Sequence, residues 1–343
     1  MDVRPGMVLN RTYRILQPLA SGGVGRVFVA AHTRLPGKVA VKVLHGSFLR
    51  DRDSLARFRT EAEILAGLQH PNVVRVLDYN VSEVGVPYLV MELLGGVELR
   101  DRIGPSRGPR PPVWVTSIVR QVASALRSAH LKGIVHRDIK PENIMVLSGE
   151  GQPDFVKVLD FGVSNVSRAR RRHGSPRRHR TQHRSPMQET QQPIVGTPGY
   201  MPPEQVHAGE VDDRADQFSL AAVAWELLAG RPAFLADDDG ALLWQILNEQ
   251  PPPLGRFVDL PPSQLAEVEK VLLRGLSKDR NQRYPDIVEF ARALDAALTA
   301  GDTAREGDSA VPSAPVSTPS LPALPVVSAP LDEFAGVGQS YLW

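Results

Sequence analysis

Two hydrophobic rhythms divide the chain. Residues 13–30 hold two short apolar runs on either side of the Gly-rich turn Ser21-Gly22-Gly23-Val24-Gly25, which predicts a β-hairpin. Val39-Ala40-Val41-Lys42-Val43 is a β-branched run with a single charge and predicts a further strand. From 54 to 68 the period changes: Leu55, Phe58, Ala62, Leu65 and Leu68 fall on one side of a helix. That helix stops at His70-Pro71-Asn72, because a residue before proline avoids helical angles. Strands are expected again over 73–79 and 87–91. Residues 95–112, rich in Gly, Pro and Arg, read as a loop. Beyond them the helical period dominates. It runs over 113–132 with Gly133 as C-cap, over 213–229 through Phe218, Ala222, Trp225 and Leu228, and near 240–249, 263–276 and 286–298.

Between two apolar anchors, Ile134-Val135 and Ile144-Met145-Val146, stands His136-Arg137-Asp138-Ile139-Lys140-Pro141-Glu142-Asn143. Pro141 marks it as a loop. A loop held at both ends and carrying a carboxylate, bases and an amide is a good place for chemistry. Val158-Leu159-Asp160-Phe161-Gly162 is an apolar run that also delivers a carboxylate. Two Asp and an Asn are oxygen donors of the kind Mg²⁺ takes together with phosphate. Lys42, an ammonium among apolar neighbours, needs an acidic partner. Glu61 and Glu63 offer themselves on the following helix; two positions apart, they lie roughly 200° round it and cannot both face the Lys.

Composition narrows the class. Of 343 residues 42% are hydrophobic, as in an ordinary globular protein, and the length allows a large core in two parts. With no Cys, disulfides, thiolate metal sites and a Cys nucleophile are excluded, in keeping with a reducing, cytoplasmic setting. Met1-Asp2-Val3-Arg4-Pro5 lacks the apolar core of a signal peptide, and no run approaches a membrane span. The nine His show no metal-ligand spacing. The formal charge of +2 conceals an asymmetry: residues 165–188 contain eight Arg and no acid, and without them 32 Lys and Arg face 38 Asp and Glu, a net of −6. This Arg-rich insert, about 167–187, has too few apolar groups to bury a core. It also has no aromatic residue to stack bases, so no specific nucleic acid is expected as a partner. Pro, Ala, Ser and Val predict a disordered tail over 301–343.

Taken together, the His136–Asn143 loop and Asp160-Phe161-Gly162 resemble the catalytic loop and the metal-binding segment of protein kinases. Gly196-Thr197-Pro198-Gly199-Tyr200-Met201-Pro202-Pro203-Glu204-Gln205 is similar to the peptide-docking end of bacterial (Hanks-type) serine/threonine kinases. The resemblance covers 9–298 and implies an α+β, two-lobed protein kinase fold. A small β-rich lobe with one helix would span about 9–92, and a larger, mainly helical lobe about 95–298, with ATP between them. It implies transfer of the ATP γ-phosphate to Ser or Thr hydroxyls of protein substrates, with Mg²⁺ or Mn²⁺, and autophosphorylation through dimerisation.

By the same resemblance, Asp138 would orient the substrate hydroxyl and accept its proton, and Lys140 would contact the γ-phosphate. Asn143 and Asp160 would hold the metal, while Lys42, paired with Glu61, would hold the α- and β-phosphates. Leu19, Ala20, Ser21, Gly22, Gly23, Val24 and Gly25 match the phosphate-covering loop, with Ala20 in place of its first Gly. Val27, Ala40 and Met145 would line the adenine slot, Met91 would be the gatekeeper, and the backbones of Glu92 and Leu93 would bond adenine. Thr197 would bond Asp138 and Lys140, Glu204 would pair with Arg283, and Asp216 would brace the catalytic-loop backbone. Arg137 would receive an activating phosphate, on Thr190 above all. His136 would pack rather than act as a base. Pro202 stands where the family has Ala, and Ala221 where it has Gly. The alternative is a pseudokinase-like ATP-binding signalling scaffold, for which Ala20 and Pro202 speak and against which the intact Lys42, Asp138, Asn143 and Asp160 speak. A nucleic-acid binder using the Arg run is the other rival.

Overall fold

The computed structural model describes residues 3–21, 25–44, 52–104, 108–149, 152–161, 198–207 and 209–300. The Arg-rich insert, the tail, Gly22, Gly23, Val24, Thr190 and Thr197 lie outside the described residues.

Strands β1 (Val8–Leu9), β2 (Tyr13–Ser21), β3 (Gly25–His32), β4 (Lys38–Leu44), β5 (Val76–Val81) and β6 (Pro87–Glu92) form one antiparallel sheet in the order β1-β2-β3-β4-β6-β5. Helix α1 (Arg52–Gly67) connects β4 to β5. The period of two along a strand sorts the side chains. Val41, Val43, Tyr88 and Val90 join Tyr13, Ile15 and Phe28 in a core on one face. Ala40, Leu44, Leu89 and Met91 pack from the other face with Phe58, Ala62 and Leu65 of α1. Both faces of β6 are therefore covered, which is why Tyr88 to Met91 is continuously apolar. Lys42 shares the face of Ala40 and Leu44, toward α1.

A second antiparallel sheet, β7-β8-β9, comprises β7 (Gly96–Glu98), β8 (Ile144–Gly149) and β9 (Gln152–Val158). Together with α2 (Leu99–Arg102) it corrects the expectation of a plain loop over 95–112. Elements this short show no period. The Gly that suggested a turn is needed for pairing: a Cβ on Gly96 would sit 2.4 Å from the Val146 carbonyl oxygen. The strand expected over 73–79 starts later than predicted, because residues 72–74 bond to β9 instead. Val73 and Val158 form a parallel bridge, Val74 N donates to Val158 O at 3.0 Å, and Val158 N donates to Asn72 O at 2.8 Å.

The remaining elements are α3 (Pro112–His130), α4 (Pro203–Val206), α5 (Arg214–Ala229), α6 (Asp239–Asn248), α7 (Pro262–Gly275) and α8 (Ile287–Thr299). Every residue of α5 from Ala215 to Ala229 is buried, so this mainly apolar helix is covered all round, its Asp216, Gln217, Ser219 and Glu226 included. α3 packs against α5 and α8. The ends follow capping chemistry. Asp286 accepts from Val288 N and Glu289 N at the start of α8, and Gly230, at φ 70°, closes α5.

Lys278 is a half-buried cation on the segment after α7. Its Nζ is buried without a hydrogen-bond partner, 4.3 Å from the centroid of Phe234. Burial, and then the charge of Arg283, push its pKa down to about 8. Below that pH the folded protein carries a poorly solvated cation. Between pH 8 and the ordinary Lys value the unfolded chain binds more protons, so stability should rise with pH through that window. Lys278→Met is expected to flatten this rise and to stabilise the protein at pH 7 by about 1 kcal/mol, a figure reduced for partial exposure. Calorimetry from pH 7 to 10 checks both effects.

Candidate active site

The site forms where the loop after α3 meets α5 and the end of β9. Gly133, at φ 71°, turns the chain out of α3. Asp216, fully buried on α5, then fixes the loop backbone: its Oδ2 accepts from His136 N at 2.8 Å and its Oδ1 from Arg137 N at 2.7 Å. The ring of His130 lies 2.7 Å from Oδ2. These bonds hold Arg137 at φ 68°, a left-handed conformation that a non-Gly residue adopts at a cost of roughly 1–2 kcal/mol. Gln205 of α4 donates to the Arg137 carbonyl at 3.1 Å, so the chain beyond the insert also holds the loop. Burial lowers the pKa of the half-buried Arg137 guanidinium, with Asp216 opposing.

His136 packs, as expected. It is buried, with its ring 4.5 Å from that of Phe161. Nε2 lies 2.8 Å from the Leu159 carbonyl, which can only accept, so Nε2 carries the proton. Nδ1 is then the acceptor for Asp138 N at 3.3 Å. The imidazole joins two loops with both nitrogens engaged.

Two side chains converge on Asp138. Lys140 Nζ donates to its carboxylate at 2.8 and 3.1 Å. Asn143 Nδ2 donates to Asp138 Oδ2 at 2.9 Å and to the Asp138 carbonyl at 2.7 Å. The turn Pro141–Asn143 makes this possible by bringing Asn143 back over the loop. Leu159 N donates to Asn143 O at 2.8 Å, which places Asp160 beside the same group.

Asp160, at φ 43°, meets Lys42 of β4, with Nζ 2.8 Å from Oδ1. Desolvation raises the pKa of this carboxyl, but the charge and hydrogen bond of Lys42, helped by His136 and Lys140, outweigh it, and the group stays below the usual carboxylate range. Asp160 is thus one acidic partner of Lys42; the side chain of Glu61 lies outside the described residues. The donor chemistry fits a magnesium ion bound to ATP phosphates. Asn143 spends its amide nitrogen on Asp138, so its Oδ1 is the atom left for a cation, and Asp160 is an ionised carboxylate.

Most of the other expected residues lie on β2, β3, β4, β6 and β8, and Glu204 lies on α4. Val27 pairs across the sheet with Lys42, and Ala40 with Met91; Ala40 and Met91 are buried in one cluster against which Val27 packs. Met145 lies half-buried on β8. A Cβ on Gly25 would meet Val43 O at 2.4 Å, so the hairpin needs Gly there. Ala20 pairs with Val27 and Ser21 with Arg26, while Leu19 is exposed. The Glu92 carboxylate accepts from Lys157 Nζ at 2.6 Å and Arg75 N at 2.7 Å, and its own backbone N donates to Arg75 O at 3.0 Å. Leu93 packs against the core. Glu204 and Arg283 form a two-bond pair at 2.7 and 2.8 Å.

Sequence reasoning missed the group around Arg100, which joins Glu142, Tyr200 and Glu226. Its one legible signal is Glu226, an acid interrupting the apolar run of α5.

The family model for the protein kinase domain matches residues 13–291. Serine/threonine-protein kinase Pkn1 of Myxococcus xanthus is 37% identical over 290 residues, 84% of this chain and 38% of Pkn1. For pkn3 of the same organism the identity is 35%, over 86% of this chain and 51% of pkn3. PknB of Mycobacterium tuberculosis is 35% identical over 83% of this chain and 43% of PknB. The chain therefore spans about half or less of the length of these relatives. The solved PknI kinase domain of Mycobacterium tuberculosis is 27% identical, with a TM-score of 0.63 and coverage of 87% of this chain and 100% of that domain.

Proposed function

The chain belongs to the protein kinase family, and on that premise we propose that it transfers the γ-phosphate of ATP to Ser or Thr hydroxyls of protein substrates, its own chain included. The observation that supports this best is the convergence of Lys140 and Asn143 on Asp138 beside the Lys42–Asp160 pair. Asp138 orients the incoming hydroxyl and accepts its proton, and Lys140 and Asn143 hold its carboxylate in place. Lys140 then faces the transferring group, and Lys42 holds the α- and β-phosphates. Asn143 Oδ1 and Asp160 hold the cation. Mg²⁺-ATP, when bound, supplies the phosphoryl group and the neutralising charge. An oxygen-only donor set suits Mg²⁺ and admits Mn²⁺. Val27, Ala40, Met91 and Met145 form the adenine slot, with the backbones of Glu92 and Leu93 as bonding groups. Dependence on ATP puts the site of action in the cytoplasm; among the described residues no helix is long and apolar enough to cross a membrane.

The departures from the family pattern are accommodated, which favours turnover over a scaffold. Ala20 keeps its place in the β2–β3 ladder, and Pro202 has extended angles as the N-cap of α4. Incubation with labelled ATP and Mg²⁺ tests the reading: label is expected on Ser or Thr of an added protein, whereas ATP binding without label on any protein would leave the scaffold. Autophosphorylation between two copies should make its initial rate grow with the square of enzyme concentration. Thr190 is the favoured site, because a phosphate there would pair with Arg137 by charge-assisted hydrogen bonds. Ser175, Thr181 and Ser185 compete with it. Mass spectrometry that finds active protein unmodified at all four would remove self-activation by this route.

A further inference from the structure

Arg100 on α2 ties together three parts of the chain through one side chain: the loop of Asp138, the stretch at Tyr200 and α5. Nε donates to Glu142 Oε1 at 2.9 Å, Nη1 to Glu226 Oε1 at 2.6 Å, and Nη2 to the Tyr200 hydroxyl at 2.5 Å. The Tyr200 hydroxyl, accepting from Arg100, donates in turn to Glu226 Oε2. The Tyr200 carbonyl accepts from Ser219 Oγ at 2.8 Å. Glu142 lies between Pro141 and Asn143 in the loop that carries Asp138, and Tyr200 opens the stretch leading into α4. Glu226 sits on α5 with only 3% of its side chain exposed, whereas Arg100 and Glu142 are about 30% exposed.

The chemistry makes the guanidinium hard to replace. Two carboxylates and a phenol meet on one planar fork, which serves three acceptors at once; an ammonium is a point charge and cannot. Without it, the buried Glu226 loses its cation, and Glu142 loses the bond that holds it toward Tyr200. The phenol stays protonated: burial raises its pKa, and Glu226 raises it further. None of the groups assigned to ATP is among the partners of Arg100 in this network.

We infer that Arg100 is a positioning residue for the peptide substrate, holding the Asp138 loop through Glu142 in register with the docking stretch that begins at Tyr200. The inference rests on the proposed kinase activity. It predicts an effect confined to the peptide side of the reaction.

The test compares wild type, Arg100→Ala, Arg100→Lys and Glu142→Gln on a Ser/Thr peptide selected by the wild-type enzyme from a random library. Arg100→Ala should raise the peptide KM about tenfold or more, the scale of one lost charge-assisted hydrogen bond, with the ATP KM within about twofold. Arg100→Lys should recover only part of the loss, and Glu142→Gln should show a smaller shift of the same sign. Free guanidinium ion, at concentrations that leave wild type unaffected, should restore Arg100→Ala. Affinity for the library peptide with Ala at its acceptor position, which needs no turnover, should fall in parallel. An equal rise in the ATP KM, or peptide constants unchanged in all three variants, would overturn the inference. If Arg100→Ala fails to fold, unchanged peptide constants in Arg100→Lys and Glu142→Gln overturn it on their own. A wild type that labels no peptide defeats the kinase reading instead. In that case the Ala peptide, chosen for binding to the wild type, must still bind more weakly to the variants.

Discussion

Asp138→Asn is expected to abolish useful transfer while leaving fold and nucleotide affinity intact. The amide is nearly isosteric with the carboxylate and can still accept from Lys140 or Asn143, which bond to the native group at 2.8 and 2.9 Å. It lacks the charge and the basicity that orient a hydroxyl and take its proton. A positioned base contributes typically about 10²–10⁴-fold, and a loss of that size in kcat is the expected result. The ATP affinity, measured by titration, should stay within about twofold, since the phosphate and metal contacts are assigned to Lys42, Asn143 and Asp160. Turnover within tenfold of wild type on an accepted peptide would move the base to another residue.

The second large effect is on stability. Arg283 is fully buried, and its guanidinium meets both oxygens of Glu204, whose side chain is 11% exposed. It also donates to the carbonyls of Ser277 and Arg214. Arg283→Met leaves the Glu204 carboxylate without its cation and two carbonyls without a donor, at an expected cost of about 3–5 kcal/mol in denaturant unfolding. Adding Glu204→Gln should return part of that loss, because the uncompensated charge is gone; the double-mutant cycle isolates the pair. Activity should fall as well, since α4, anchored by this pair, carries the Gln205 side chain that holds the Arg137 carbonyl. A single-variant cost below about 1 kcal/mol would show the pair to be dispensable.

What could be read beforehand was whatever is local. The hairpin, the strand around Lys42, the face of α1 and the five longer helices described after residue 112 announce themselves through periodicity or an apolar run, because one or more faces of each are buried. β7 and α2 do not, being too short for any period to develop. The start of β5 was misplaced because residues 72–74 look like strand and are extended, yet bond to β9. The site divides in the same way. Asp138, Lys140 and Asn143 are legible because six residues of chain contain them. The Lys42–Asp160 contact spans 118 positions and the Arg100–Glu226 contact 126, and nothing in the intervening residues encodes either. Asp216 and Glu226 were visible as acids in an apolar helix, but the atoms they serve belong to the tertiary fold.

The bonds between residues 72–74 and β9 act as an axle. Lys157, next to the bridging Val158, reaches both Glu92 and the Val73 carbonyl, so the end of β6 is riveted to the strand that delivers Asp160. Any rotation of the six-stranded sheet over the helices that kept these bonds would pivot about this line. The ladder then sets the sweep of each part: Glu92 lies beside Val39 at one end of β4, and Gly25 beside Leu44 at the other, five residues and roughly 17 Å away. Glu92 would sit near the pivot and scarcely travel, while the Ser21 and Gly25 ends of β2 and β3 would describe the widest arc. Opening of that kind would widen the gap away from Glu92, and a nucleotide seated with its base against the pivot would enter and leave phosphates outermost.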